Sequence, residues 1–276
     1  MSKSAGGDQG WALTTAFRFP TQTIPSAHED STFPDPERAA LVPAGGLTAP
    51  GVSTEREALR LVRAAHRLAS RMQAEGIFKA VGKVGFGGAA QSAATAWLIL
   101  PVPGEPNTST GLEITLEAGA LFPVSVGRDC EPLWVGLCRY PPRATLAGRS
   151  LATRLGKGWH LSGFSKTQFA SLHGWEHFRR CHVGIVSLLA GLRPLGFRVR
   201  ISDEGDYWPR LSERALRENL DDLNRLLAAA AGAMKDASGG QVESPIFGHR
   251  EFERLEAEGA ARIPPGFSEW LQKEAE

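Results

Sequence analysis

Residues 159–208 read WHLSGFSKTQFASLHGWEHFRRCHVGIVSLLAGLRPLGFRVRISDEGDYW, and this stretch decides the fold. Residues 159–164 predict a strand, and the apolar periodicity of 172–193 predicts a helix. From 197 to 201, Phe, Val and Ile alternate with arginine, which predicts a second strand. A strand, a helix and a strand in this order are typical of a crossover between parallel strands. We therefore expect the loops after both strands to open at the same edge of one sheet.

The chain before this unit predicts one helix and then an antiparallel sheet. Thr54 and Glu57 have capping-box spacing, at the start of a long helix that ends near Glu75. The predicted apolar face of this helix consists of Ala58, Val62, Ala65, Ala69 and Met72. Short segments separated by turn-forming residues predict a meander with strands at 78–86, 96–102, 112–118 and 133–139. The continuous apolar run at 97–100 predicts a central strand.

These elements predict an α+β fold with a long N-terminal helix, an antiparallel meander and a βαβα segment that extends the same sheet. The last helix of that segment begins after Ser212, a residue type that favours helix N-termini. We predict a mobile Pro/Gly-rich arm at 1–52, an α+β domain at 53–243 and a C-terminal tail at 244–276. The arm has neither helical nor strand periodicity and offers little apolar surface to offset the entropy of ordering it.

The composition argues against a nucleic-acid-binding protein, a membrane protein and a disulfide-rich protein. Of the 276 residues 42% are hydrophobic, and the formal net charge is +1, so no whole-molecule field attracts nucleic acid or an anionic membrane. The longest apolar runs are far too short to cross a bilayer. Three cysteines without close pairing favour reduced thiols over a disulfide framework, and the first residues lack the pattern of a signal peptide. We therefore expect a soluble, cytoplasmic protein.

The loop after the first predicted strand carries hydrogen-bond donors. Ser165, Lys166, Thr167 and Gln168 lie just before a predicted helix, where the helix N-terminus favours an anion. The alternative interpretation is an ordinary helix entrance with one exposed lysine. We predict that Lys166 is catalytic and that Ser165, Thr167 and Gln168 bind a ligand.

The loop after the second predicted strand is acidic. Asp203, Glu204 and Asp206 supply three carboxylates, which can bind Mg²⁺ or act as general acid and base. Tyr207 and Trp208 would form an apolar wall for the ligand. The alternative is a set of acidic residues in a turn before a helix, where the helix dipole also favours them. Because both loops follow parallel strands, we expect Lys166 to lie near these carboxylates.

The predicted helix at 172–193 contains a possible zinc site. His173, Glu176 and His177 match the H-x-x-E-H pattern of inverted zincins, in which two histidines hold Zn²⁺ and the glutamate activates its water. The alternative is a polar helix face with two exposed histidines. We favour this alternative, because the sequence fixes no third protein ligand. His182 falls in the apolar stripe of the same helix, so we expect a buried, hydrogen-bonded histidine there.

The leading functional hypothesis is an enzyme for hydrolysis or group transfer on a small or phosphorylated substrate, with a divalent metal such as Mg²⁺ or Zn²⁺. One alternative is a non-enzymatic binding or assembly protein that presents the polar loops of 165–208 to a partner. Another is a zinc hydrolase with an H-x-x-E-H site. A concave site with perturbed pKa values would favour an enzyme, whereas a flatter surface would favour a binding protein.

Overall fold

A computed structural model describes residues 43–86, 88–101, 109–146, 149–153, 155, 158–237, 239–240, 242–261 and 263. The α+β class is confirmed, since helices are combined with antiparallel sheets. The helices are α1 (Glu55–Ala74), α2 (Ala89–Ala93), α3 (Trp175–Leu192), α4 (Glu213–Ala237) and α5 (Phe252–Ala260). The strands are β1 (Pro43–Thr48), β2 (Ala80–Val81), β3 (Ala96–Pro101), β4 (Ser109–Ile114), β5 (Ala118–Ser125), β6 (Leu133–Arg139), β7 (Arg143–Leu146), β8 (Arg149–Ala152), β9 (His160–Phe164) and β10 (Arg198–Asp203).

The main sheet has six strands in the order β10-β1-β9-β6-β5-β2. β9 and β10 both pair antiparallel to β1, so they run parallel to each other with β1 between them. The predicted crossover therefore exists as β9-α3-β10, but it passes over one strand. α1 lies against β5 and β6, and α3 lies against β1 and β10. The carboxyl ends of β9 and β10 consequently open at the same edge, which places both polar loops there.

The position of β1 corrects the predicted arm. Residues 43–48 of the predicted 1–52 segment form an internal strand, bonded to β10 on one side and β9 on the other. Its sequence, Pro-Ala-Gly-Gly-Leu-Thr, has a single large apolar side chain and therefore shows no strand periodicity. Pairing with two neighbours outweighs this weak local preference. Residues 1–42 lie outside the described residues.

The helix that begins after Thr54 is α1. The Thr54 hydroxyl accepts a hydrogen bond from Glu57 N–H, and the Glu57 carboxylate accepts one from Thr54 N–H, which is a complete capping box. The buried residues of α1 are those of the predicted apolar face, Ala58, Val62, Ala65, Ala69 and Met72. Three alanines in this stripe allow the helix to lie close to the sheet and to α3.

The meander differs from its prediction in three places. Of the predicted strand 78–86, only Ala80–Val81 forms a strand, β2, with an isolated bridge between Gly85 and Leu121. In the described part of the chain, β3 pairs only with β4, in a separate two-stranded sheet, so the run at 97–100 is not a central strand. A continuous apolar run indicates burial and does not fix the number of neighbouring strands. The predicted strand 112–118 merges the end of β4 with the start of β5, and β5 continues to Ser125.

The predicted tail is part of the folded structure up to the end of α5. α5 packs against α4, and Gly259 allows the close approach, because a Cβ there would lie 2.1 Å from the Arg225 carbonyl oxygen. Ion pairs from Arg225 and Arg254 to Glu258 border the contact. Among the described helices, none is long and apolar enough to cross a membrane.

Neighbouring residues of β1 provide a direct test of its internal position. Leu47 is 3% exposed and faces the helices, whereas Thr48 is exposed on the other side of the strand. We expect Leu47→Ala to lower the free energy of unfolding by about 2–5 kcal/mol, because it leaves a cavity under α3. Thr48→Ala should change it by no more than about 0.5 kcal/mol. Urea unfolding followed by circular dichroism measures both, and similar small effects would contradict a core role for β1.

Candidate functional site

A buried chain of three side chains joins the two polar loops. Thr167 Oγ1, in the loop after β9, lies 3.0 Å from His182 Nδ1 on α3. His182 Nε2 lies 3.0 Å from Asp203 Oδ1, at the end of β10. Thr167, His182 and the Asp203 side chain are all 0% exposed. A carboxylate only accepts hydrogen bonds, so Nε2 carries a proton and donates a hydrogen bond to Asp203, while Nδ1 shares a hydrogen bond with the Thr167 hydroxyl. The expected buried, hydrogen-bonded His182 is confirmed.

Asp203 also fixes the course of the acidic loop. Its Oδ1 accepts a hydrogen bond from Gly205 N–H at 2.8 Å, and its Oδ2 accepts one from Trp208 N–H at 2.8 Å. Burial alone raises the pKa of the Asp203 carboxyl, but the hydrogen bond and charge of His182, with the two N–H donors, lower it below its ordinary value. A Cβ on Gly205 would lie 2.6 Å from Leu216 Cδ1 and 3.1 Å from Asp203 Oδ1, so a larger residue at this bend would displace the Leu216 side chain and crowd the carboxylate.

The other two predicted catalytic carboxylates do not join Asp203. Glu204 and Asp206 are exposed. Asp206 Oδ2 accepts a hydrogen bond from Asn219 Nδ2 at 3.4 Å, and Asp206 has φ 54. Asp203 is directed inward to His182, so the three carboxylates do not converge on one point. In the part of the chain that the structure describes, no three His, Cys, Asp or Glu side chains are grouped to hold a metal ion.

The loop after β9 contacts Glu131. Lys166 N–H donates to Glu131 Oε2 at 3.3 Å, Glu131 N–H donates to the Lys166 carbonyl at 3.0 Å, and the Ser165 hydroxyl donates to the Glu131 carbonyl at 2.7 Å. Burial raises the pKa of the Glu131 carboxyl, and the Lys166 charge acts against that rise. Lys166 thus engages Glu131 through its backbone and its charge, and its expected proximity to Asp203, Glu204 and Asp206 stays a prediction. The two loops meet through Thr167 and His182.

Gln168 is the least satisfied of the predicted ligand-binding residues. Its side chain is 4% exposed, and its Oε1 makes no hydrogen bond to the described residues. The Gln168 carbonyl accepts a hydrogen bond from the Ser171 hydroxyl at 2.6 Å. Thr167 and Gln168 are therefore interior residues, and a ligand at the surface cannot reach their side chains directly.

The H-x-x-E-H residues do not share one helix. His173 ends a 3-10 turn at Gln168–His173, and α3 begins after Gly174, which has φ 91. His173 is bonded to Asp129, His177 Nε2 lies 3.1 Å from the Arg128 carbonyl oxygen, and the Glu176 carboxylate accepts from Arg179. The two imidazole rings are 5.2 Å apart, edge to face. The Glu176 carboxylate is thus bonded to Arg179, and among the described residues no group typical of a zinc site forms around the H-x-x-E-H residues, which was the interpretation that we did not favour.

The surface above the buried chain is formed by residues 204–211, which we call the 204–211 loop. Trp208 is half-buried, and the Arg193 guanidinium stacks 4.9 Å from its ring. Leu211 is 57% exposed and adopts φ 54, in the left-handed region that is unusual for leucine. Tyr207, also half-buried, completes a surface that combines aromatic, aliphatic and arginine side chains.

Substitution of Asp203 tests how much its carboxylate charge stabilises the fold. We expect Asp203→Asn to lower the free energy of unfolding at neutral pH by about 3–5 kcal/mol, since it removes one partner of a buried pair. The lowered pKa means that this stabilisation is present above the ordinary value of 3.8 and is lost as the pH falls through the folded-state value. The difference between wild type and variant should therefore shrink in acid. Urea unfolding across this pH range measures it.

Asp206→Asn is the matched control for that experiment. Asp206 is exposed, and asparagine tolerates its positive φ, so the change should stay within about 0.5 kcal/mol at every pH. A pH-independent loss for Asp203→Asn would show that the carboxylate charge does not stabilise the fold.

Substitution of Thr167 tests the hydrogen bond between its hydroxyl and His182 Nδ1. Thr167→Val keeps the shape but leaves His182 Nδ1 without a partner, and we expect a loss of about 1–3 kcal/mol in the free energy of unfolding. Thr167→Ser keeps the hydroxyl and should lose about 1 kcal/mol or less, for one buried methyl group. A larger loss for serine than for valine, measured by urea unfolding, would mean that packing and not the hydrogen bond holds Thr167.

No family model, curated protein or solved structure matches this chain. The contacts of the two loops are therefore the basis on which a function has to be proposed.

Proposed function

We propose that the protein is a non-enzymatic binding protein that contacts a protein partner through the 204–211 loop. The observation that carries this proposal is Leu211, a large apolar side chain 57% exposed on a loop whose base is fixed by the buried Asp203 carboxylate. An exposed apolar residue in a strained backbone conformation is unfavourable for the isolated chain, and burial against a partner would offset part of that energy.

The anchoring of the loop supports a recognition role. Asp203 holds Gly205 N–H and Trp208 N–H, so the loop is already shaped before a partner arrives. A preformed loop loses less conformational entropy on binding than a mobile one. Tyrosine, tryptophan and arginine, which the loop supplies, are the residue types enriched at the centres of protein interfaces.

The charges around Leu211 indicate what the partner would offer. Arg210 is exposed, and the Arg214 side chain is 88% exposed, with Glu218 3.7 Å away as an ion-pair partner in solvent. A partner with an apolar pocket for Leu211 and carboxylates at the rim of that pocket would match both features. We extend the proposal to a cytoplasmic location, in keeping with an odd number of cysteines that are all free thiols.

A second candidate, a hydrolase or group-transfer enzyme, is favoured by one observation. The order hydroxyl, imidazole, carboxylate in Thr167, His182 and Asp203 is the arrangement of activated nucleophiles. Catalysis would require the fully buried Thr167 hydroxyl to become accessible to substrate. The binding proposal requires no such rearrangement, and for this reason we rank it first.

Site-specific photo-crosslinking in the cells that make the protein tests the binding proposal. A photoreactive phenylalanine analogue at position 211 should give a protein adduct of defined mass. The same analogue at Arg60, an exposed position on α1, should not. Trp208→Ala should weaken formation of the adduct strongly, since loss of an interface anchor of about 2 kcal/mol corresponds to roughly a 30-fold change in affinity.

Three outcomes would contradict the proposal. Equal adducts at positions 211 and 60, or none at 211, would show that the loop has no specific partner. An adduct at twice the mass of the chain would identify a second copy as the occupant and would replace the proposed acidic-rimmed partner. Circular dichroism of each variant shows that any loss does not come from unfolding.

A further inference from the structure

One side of the β10-β1-β9 part of the main sheet faces solvent. Successive side chains of a strand point to opposite sides of a sheet. The side chains that point toward the helices are buried, and they are Leu47, Leu161 and Val199. The side chains on the opposite side are exposed, and they are Thr48, Ser162, Arg198, Arg200 and Ser202. We call this second side, together with Gly46, the open face.

The strand register arranges the open face in rows. Arg200 pairs with Gly46, and Gly46 pairs on its other side with Ser162. In the next row, Arg198 pairs with Thr48. A Cβ built on Gly46 would have only one described atom beyond its chain neighbours within 4 Å, the Arg200 Cβ at 4.0 Å. The middle of the open face is therefore not covered by the described part of the chain.

The two arginines give the open face its charge. Arg198 and Arg200 are two positions apart on one strand, so their Cα atoms are separated by about 7 Å. Their charges repel each other, because this distance is within the Debye length of roughly 8 Å at physiological salt. Among the described residues, neither guanidinium has an ion pair or a hydrogen bond. The open face itself contains no carboxylate, so it favours an anionic occupant.

The chain carries an acidic segment shortly before β1. Residues 29–37 read EDSTFPDPE, with four carboxylates and no lysine or arginine. Because β1 begins at Pro43, the five residues 38–42 connect this segment to the sheet. Five extended residues span up to about 17 Å, which is about the distance along β10 from its first to its last residue. The carboxylates are therefore within reach of both arginines.

We propose that residues 29–37 bind the open face of the same chain, with their carboxylates paired to Arg198 and Arg200. Opposite charges at an exposed surface attract each other weakly, and each ion pair contributes little alone. Pro34 and Pro36 have no N–H group to donate to a sheet edge. The segment therefore lies across the side chains of the open face and does not extend the ladder of strands.

The short connection favours this occupant over a second copy of the chain. A segment on a short linker is present at an effective concentration on the order of millimolar. A second copy offers the same acidic segment only at the concentration of the protein in solution, which is far lower. Weak ion pairs are sufficient for the first arrangement and insufficient for the second. The proposal is independent of the partner proposed for the 204–211 loop.

Photo-crosslinking from the open face tests the proposal on the full chain. A photoreactive phenylalanine analogue at Ser162 should link to a peptide within residues 29–37, which proteolysis and mass spectrometry identify. The same analogue at Arg60, exposed on α1 and thus on the helix side of the sheet, should not link to that segment. Dilution should leave the linked fraction unchanged, because the reaction is intramolecular. Salt at about 1 M should lower it, because it screens exposed ion pairs.

Charge reversal tests the role of the arginines. Arg198→Glu combined with Arg200→Glu should lower the linked fraction by about tenfold, because two exposed ion pairs together contribute about that factor to an equilibrium constant. Arg60→Glu combined with Arg67→Glu is the matched control, since it changes the net charge equally at exposed positions of α1. This control should leave the linked fraction unchanged.

A charge swap completes the experiment. In the protein with both reversed positions on β10, Asp35→Lys combined with Glu37→Lys should recover the link to residues 29–37. Circular dichroism shows whether each variant is folded, and Arg198→Gln with Arg200→Gln replaces the reversal if that variant is unfolded. No link from position 162, or a link to another part of the chain, would overturn the proposal. An adduct at twice the mass of the chain, or a link that the arginine variants do not change, would also overturn it.

Discussion

The hydrogen bond between Asp203 and His182 is the contact on which this part of the structure depends. A carboxylate with no exposed side-chain surface is strongly unfavourable unless its oxygens are partnered. Asp203 meets that requirement with three donors from different places, the His182 ring on α3 and the backbone N–H groups of Gly205 and Trp208. One side chain therefore fixes the end of β10, the rotation of α3 and the path of the loop. Removing it would release all three at once.

The position of β1 explains why an imidazole is needed there. With β1 between β9 and β10, the two parallel strands are two spacings apart, or about 10 Å. Side chains at the ends of adjacent parallel strands can touch directly, but across this gap Thr167 and Asp203 need a bridge. His182 supplies it from α3, which packs over β1 and β10. The wider gap also accounts for Lys166, whose backbone and charge engage Glu131 on the near side.

Local sequence signals predicted the helices better than the sheet. The Thr54 and Glu57 capping box lies where α1 begins, and the 3.6-residue period placed His182 correctly in the buried face of α3. β1 was missed because Gly45 and Gly46 have no strand signature and its stability comes from two long-range pairings. The buried chain was missed as a unit because its members are separated by 15 and 21 residues. An isolated histidine in an apolar stripe, with a polar loop after each flanking strand, was the available signal.

One turn of α3 contacts two loops, which lie on different sides of the helix. Cys181 and His182 are consecutive, and successive side chains on a helix diverge by about 100°. Cys181 therefore meets the segment after β5 at Gly127, where a Cβ would lie 2.4 Å from its Sγ, while His182 meets the acidic loop through Asp203. A rotation of α3 about its axis would break both contacts. Each contact therefore keeps the helix in the orientation that the other contact needs. A change at the Gly127 segment can reach the 204–211 loop only through rotation or displacement of this turn, because the histidine stays bonded on both sides. The buried Asp203, with its three hydrogen bonds, opposes such a movement.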